Sequence, residues 1–297
     1  MKAPSRGSRI LGYALPTLAV AGGLGALSYL RDRLQHSRVF LPDRYPNGIW
    51  DPAPFGLPAS DVWFEASDGV ELHGWWIPHR KARGSVLYCH GNTGSIAQRI
   101  GIFRMLRRLR VNLLAFDYRG YGRSAGSPSE AGLYLDVRAA YDHLVGVLDQ
   151  PPETVLLFGH SLGGAVAIDC ALERQAAGLV VQSSFTHIRD AARAVLPAWP
   201  LHLVARPQFR SIDKVGRLEL PKLFIHGEGD ETVPFALGQL LFEAAAEPKE
   251  FYAVPHAGHK DVHRHGGLRY LYRLSRFRSR CLKTGGETRK LPSSLPA

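Results

Sequence analysis

The sequence predicts an α/β domain with a mostly parallel sheet of about eight strands, helices on both faces, and an apolar helix ahead of it. Three observations carry this reading. From residue 62 onward, short apolar runs alternate with segments of helical period. One run, Val155 to Phe158, ends on Gly159-His160-Ser161-Leu162-Gly163-Gly164, which sets one hydroxyl between glycines where a strand gives way to a helix. Residues 10–30 form a stretch of 21 residues without a charge.

Composition bounds the alternatives. With 297 residues, 45% hydrophobic and 21% charged, the chain can bury a sizeable core, which excludes disordered and fibrous classes. The formal net charge is +11. No nucleic-acid motif accompanies it, so the expected partner is anionic lipid and not nucleic acid. Much of the excess stands near the ends, at Lys2, Arg6 and Arg9, at Arg31, Arg33 and Arg38, and in a tail that runs from Arg276 to Lys290. Cys89, Cys170 and Cys281 are too far apart for a metal site or a disulfide framework, and the first two read as core residues.

Residues 1–9 are a basic segment. Residues 10–30 are long enough, at about 1.5 Å per residue, to span a hydrocarbon core of about 30 Å, and predict a single-pass transmembrane anchor. The competing reading is a signal peptide cleaved after Ala19-Val20-Ala21, giving a secreted or periplasmic protein. Against it, the apolar stretch continues for nine residues and stops only at Arg31. Basic residues nearly balance across the span, so the orientation stays open.

Residues 31–60 are an irregular lead-in rich in Pro and aromatics. The domain proper is expected over 61–275. Its strand-like runs are 62–65, 70–77, 85–89, 112–117, 154–158, 179–182, 222–226 and 250–254. Ser67-Asp68-Gly69 between the first two suits a hairpin and so an antiparallel edge. Helical segments are expected at 96–109, at 129–148 with Ser129 as cap, and at 162–175. Residues 183–218 break the rhythm with Pro197, Pro200 and Pro207. They read either as a short cap over the carboxyl end of the sheet or as one crossover helix with a long loop. Residues 276–297 are expected to be a basic flexible tail.

The hydroxyl between glycines has a physical reading. A sharp strand-to-helix turn strains its central residue and leaves no room for neighbouring Cβ atoms, so Gly159 and Gly163 flank Ser161 and its Oγ is presented clear of the sheet. The helix N-terminus beneath supplies N–H groups and partial positive charge. A serine hydroxyl needs a base, and the base needs an orienting carboxylate. On such a scaffold the chain order is Ser, acid, His. The acid candidate is Asp230, on a glycine-bearing loop after a strand, with Glu228 and Glu231 as rivals. The base candidate is His259, after the last strand, with His256 as rival. The oxyanion donors are the backbone N–H of Leu162 and that of Asn92, with Thr93 as the alternative to Asn92. His90 reads as a buried residue that shapes the same loop. The chemistry requires no cofactor and no metal.

Two other signals are discounted. Gly120-Tyr121-Gly122-Arg123-Ser124-Ala125 fits a lax dinucleotide fingerprint, with Asp142 about 20 residues on. Gly126 and Pro128 intervene before any helix, so no helix N-terminus stands ready for a pyrophosphate. His263 and His265 lack the spacing of a metal site.

With these positions assigned, the chain resembles the α/β-hydrolase superfamily, and within it the membrane-anchored Bem46/ABHD13-like serine hydrolases. The matching pieces are Leu72-His73-Gly74-Trp75-Trp76-Ile77-Pro78, His90-Gly91-Asn92-Thr93-Gly94, Phe116-Asp117-Tyr118-Arg119-Gly120-Tyr121-Gly122-Arg123-Ser124 and Glu130-Ala131-Gly132-Leu133-Tyr134-Leu135-Asp136, over roughly residues 38 to 272. The resemblance implies a mixed sheet of about eight strands, hydrolysis of an ester, thioester or peptide-like bond in a small-molecule or lipid-like acyl substrate, and an N-terminal anchor. It sets Ser161, Asp230 and His259 at the nucleophile, acid and base positions. Close relatives often carry Arg before the nucleophile, where this chain has His160. The rival readings are a catalytically silent binding protein on the same scaffold, and a peptidase or acyltransferase that uses the same three residues.

Overall fold

The computed structural model describes residues 39–195 and 209–287. The expected anchor at 10–30, residues 196–208 of the expected cap, and the last ten residues lie outside this range. Among the described residues, no helix is long and apolar enough to cross a membrane.

The strands are β1 (Leu41–Pro42), β2 (Ser60–Glu65), β3 (Glu71–Ile77), β4 (Ser85–Cys89), β5 (Thr93–Gly94), β6 (Asn112–Phe116), β7 (Val155–His160), β8 (Gly178–Gln182), β9 (Lys222–Gly227) and β10 (Lys249–Val254). The helices are α1 (Ile100–Arg107), α2 (Glu130–Gly146), α3 (Leu162–Glu173), α4 (Ile188–Val195), α5 (Ile212–Val215), α6 (Phe235–Ala244) and α7 (Val262–Glu287).

Eight strands form one sheet in the order β10-β9-β8-β7-β4-β6-β3-β2. All neighbours are parallel except β3, which runs against both β6 and β2. The reversal comes from the expected hairpin. Gly69 takes φ +81°, its N–H donates to the Ala66 carbonyl at 2.8 Å, and Ala66 N–H donates to the Val70 carbonyl at 2.9 Å. The inner strands β4, β7, β8 and β9 are almost wholly buried, as expected where helices cover both faces. Helices α1 and α7 lie on one face, and α2, α3 and α6 on the other.

The chain visits β4, then β6 on one side, then β7 on the other. Open α/β sheets bind ligands outside the carboxyl ends of the strands at such a reversal. The loop after β4 and the turn after β7 therefore meet at one rim.

Four expectations change. The lead-in is not wholly irregular, because β1 pairs in parallel with β5, and Leu41 N–H donates to the Asn92 carbonyl at 2.9 Å. The helix expected at 96–109 is broken. A separate turn at Ile96–Gln98 is closed by a capping box between Ser95 and Gln98, and the Asp117 carboxylate takes the Ile96 N–H at 2.8 Å. The flexible tail expected from residue 276 is instead the continuation of α7 to Glu287, with Phe277 and Cys281 buried in the core. Helix α6 was not foreseen from the sequence. The cap of Ser129 on α2 does form, its Oγ accepting the Gly132 N–H at 3.0 Å.

Candidate active site

The site begins at the end of β7. Ser161 stands between β7 and α3 with φ +56° and ψ −120°, a conformation that L-residues rarely adopt. Its own backbone is fixed on both sides. Ser161 N–H donates to the Gln182 carbonyl at 2.8 Å, and its carbonyl accepts from Gly164 N–H at 2.9 Å and from Ser184 Oγ at 2.9 Å. The flanking glycines are required by contact. A Cβ on Gly159 would stand 2.2 Å from the Gly163 carbonyl oxygen, and one on Gly163 would stand 2.0 Å from that of Cys89. No side chain fits there, so α3 can start directly against the ends of β7 and β4.

Asp230 and His259 come from neighbouring loops after β9 and β10. The two loops are laced together, Glu228 N–H donating to the Val254 carbonyl at 3.1 Å and Gly229 N–H to that of Ala257 at 3.0 Å. Asp261 closes the second loop by accepting the Gly258 N–H at 2.7 Å. The result is a chain of contacts. His259 Nδ1 lies 2.8 Å from Asp230 Oδ2, and His259 Nε2 lies 3.0 Å from Ser161 Oγ. The three residues are distant in sequence, and all three side chains are largely buried. The rivals are not in this arrangement. Glu228, Glu231 and His256 are all exposed.

Electrostatics supports the direction of these bonds. Asp230 is buried, which alone would raise its pKa. Hydrogen bonds from His226 and His259, the His259 charge and the Val233 N–H outweigh this and hold the carboxyl well below the usual carboxylate range. Its Oδ1 accepts N–H bonds from Thr232 at 3.0 Å and Val233 at 2.8 Å. With Asp230 ionised, the tautomer of His259 that carries its proton on Nδ1 leaves Nε2 to accept from the serine hydroxyl.

The loop after β4 lies over Ser161. A Cβ built on Gly91 would sit 3.3 Å from Ser161 Cβ. His90 is fully buried, and its Nδ1 donates to the Gly91 carbonyl at 2.7 Å. The Gly91 carbonyl and the Asn92 N–H share one peptide plane, so this bond orients the Asn92 N–H. Tyr118 Oη donates to the His90 carbonyl at 3.0 Å, and Tyr121 Oη to that of Asn92 at 2.8 Å. Leu162 is the first residue of α3, so its N–H has no acceptor within the helix.

Sequence reasoning missed two histidines. His160 Nε2 donates to the His259 carbonyl at 3.0 Å, tying the His259 loop to the residue before Ser161. Burial first, then His259 and Arg99, push the His160 pKa well down, which keeps the ring neutral. His226 Nε2 lies 2.9 Å from the Val233 carbonyl and 3.4 Å from Asp230 Oδ2, beside the Asp230 carboxylate. Position before the serine was the only signal for His160; nothing in the sequence marked His226. The discounted glycine segment at 120–125 is a turn with no helix until Glu130, and Asp142 pairs with Arg174 at 2.7 Å. No metal-binding cluster of His, Cys, Asp or Glu occurs among the described residues.

Known proteins resemble the chain at both levels. The family described as "Serine aminopeptidase, S33" matches residues 80–212. An uncharacterized protein of Mycobacterium tuberculosis (strain CDC 1551 / Oshkosh) is 36% identical over 269 residues, 89% of this chain and 94% of that protein. The alpha/beta hydrolase domain-containing protein WAV2 of Arabidopsis thaliana is 34% identical over 272 residues, 84% of this chain and 88% of WAV2. Among solved structures, the Pyrococcus furiosus esterase Pf2001 superposes with a TM-score of 0.68 at 24% identity, over 82% of this chain and 98% of the esterase, a likeness of fold. Given a sheet of this order, a strained serine between its central strand and helix, and relatives that match along most of their length, the chain belongs to the α/β-hydrolase superfamily.

Proposed function

We propose that the chain is a serine hydrolase that cleaves an acyl ester, thioester or amide through an acyl-enzyme. Ser161 Oγ attacks the acyl carbonyl as His259 Nε2 takes its proton. Asp230 holds the imidazole and offsets the imidazolium charge. The N–H groups of Leu162 and Asn92 stabilise the tetrahedral oxyanion. His259 returns the proton to the leaving group. Water then attacks the acyl-enzyme with His259 again as base, releasing the acid and restoring the serine. No cofactor enters these steps. The observation that carries this reading is the pair of contacts at 3.0 Å and 2.8 Å joining Ser161, His259 and Asp230.

The finer reading is a membrane-anchored enzyme of the Bem46/ABHD13-like kind. Residues 10–30 serve as the anchor, residues 183–218 act as a cap that chooses the acyl group, and the substrate is a small-molecule or lipid-like acyl compound. The motif set in the sequence and the uncharged stretch support it. The description of the matched family, a serine aminopeptidase, favours one variant of the same chemistry, with an aminoacyl amide as substrate.

Ser161→Ala is expected to abolish labelling by a fluorophosphonate probe and nearly all p-nitrophenyl ester cleavage. Normal labelling of that variant would refute the assignment. A series of esters of graded chain length, thioesters and aminoacyl amides then separates the substrate classes by kcat/KM.

A further inference from the structure

The cations of this chain are segregated. Residues 72–116 contain eight Lys and Arg and no Asp or Glu, and residues 262–286 contain seven and none. Taking these 15 from the chain's 37 Lys and Arg leaves 22, against 26 Asp and Glu, so the remaining chain carries no positive excess at all. The fold joins the two segments, because they supply α1 and α7, the helices that cover one face of the sheet. Near the amino ends of the strands they touch directly, the Arg278 guanidinium donating to the Leu109 carbonyl.

The outward side of this layer is exposed, and most of its arginines have no carboxylate partner among the described residues. Arg83, Arg104, Arg108 and Arg110 stand in solvent, and none pairs with a carboxylate among the described residues. Leu268 and Tyr272, four residues apart on α7, are 79% and 61% exposed. Helix α7 kinks at Gly267, which has φ +48°, and in the segment after the kink helical spacing sets them on the outer crest, opposite buried Tyr270 and Leu274, with exposed Arg269 and Arg276 along one flank. The bordering carboxylates include Glu250, which pairs with Arg280, Glu153, on the turn that abuts α7, and Asp261, which immediately precedes α7 and lies 3.3 Å from His265 Nδ1.

We propose that the α1–α7 face docks on an anionic lipid bilayer, with Leu268 and Tyr272 entering the headgroup boundary and the surrounding arginines meeting lipid phosphates. The proposal deepens the reading of the chain as a membrane-attached hydrolase and rests on it. Two apolar tips beside exposed arginines match an interface that is wet and negative outside and apolar below. Single-stranded nucleic acid would instead call for aromatic stacking platforms, and one of the two crest residues is a leucine. His259 precedes α7 by three residues, so docking would hold the catalytic rim close to a lipid-like substrate.

The test uses the full chain carrying Leu268→Cys labelled with a polarity-sensitive nitrobenzoxadiazole. The native cysteines are buried and leave the label selective. The protein is reconstituted in phosphatidylcholine vesicles with and without phosphatidylglycerol. Expected is a several-fold rise in emission that needs phosphatidylglycerol and is reversed by high salt. Arg104→Gln, Arg108→Gln and Arg276→Gln should each weaken docking about fivefold, while ester turnover in detergent shows that each variant is folded. Equal emission in both vesicle types, with the protein still bound to them, overturns the proposal. So does a rise produced by duplex DNA or RNA and not by phosphatidylglycerol, which would make the face a nucleic-acid surface. Failure of the chain to stay on phosphatidylcholine vesicles after an alkaline wash strikes the anchor instead. In that case cosedimentation with phosphatidylglycerol vesicles decides the face separately: binding supports it, and no binding overturns it.

Discussion

At the scale of single residues, the site depends on which atom carries each proton. Asp230→Asn would present an amide to His259 Nδ1 at the place where a carboxylate now accepts at 2.8 Å. The imidazole would then favour the tautomer with its proton on Nε2, which cannot take the serine proton. A fall in kcat of about 10⁴-fold with little loss of stability is expected from steady-state kinetics and thermal melts. His90 acts one step further out, through the Gly91 carbonyl that its Nδ1 holds at 2.7 Å. His90→Ala should lower kcat by about 10²–10³-fold, the usual loss for one oxyanion donor, with KM nearly unchanged. His90→Asn, which keeps a donor at the same position, should recover much of that loss. A merely structural His90 would give equal losses in both variants.

At the scale of elements, α7 does more than close the chain. The side chains of Phe277 and Cys281 fill the space beside Gly178 at the start of β8, where a Cβ would lie 2.6 Å from Cys281 Sγ. Phe277→Ala should cost about 3–5 kcal/mol of unfolding free energy, read as a lower urea midpoint at constant m-value. If residues beyond 275 were a loose tail, the midpoint would not move. The lead-in also has a structural task. By pairing β1 with β5 and donating from Leu41 to the Asn92 carbonyl, it steadies the loop that lies over Ser161.

At the scale of the whole molecule, buried groups set the acid limit. Burial lowers the pKa of His160, His73 and His263 from the ordinary 6.5. Above that value each is neutral in both folded and unfolded chains and contributes nothing to the pH dependence. As pH falls through it, the unfolded chain takes up protons that the native state does not, so stability drops. Asp230 acts in the same direction at lower pH. Its depressed pKa gives stability that is present above the unfolded value of 3.8 and lost as pH falls through the folded one. Urea unfolding between roughly pH 7 and pH 5 should therefore show a loss, up to about 1.4 kcal/mol per pH unit for each such histidine, opposed in the lower part of that window by Asp136, whose burial raises its pKa to about 6. A flat profile would mean that these rings are protonated in the native state.

The sequence by itself determined the eight strands of the main sheet, helices α2 and α3, the hairpin and the turn at Ser161, because apolar period and glycine placement are local properties of the chain. It also marked Asp230 and His259 by their positions after strands. Only the tertiary structure decided that these two, and not Glu228, Glu231 or His256, stand within hydrogen-bond reach of one another and of the serine. It alone revealed the roles of His160 and His226, the burial of Phe277 and the joining of two basic segments into one face. The physical reason is the same in each case. Contacts between residues some 100 positions apart arise from how the sheet is ordered and how its loops are laced together, and no pattern within a short window encodes that.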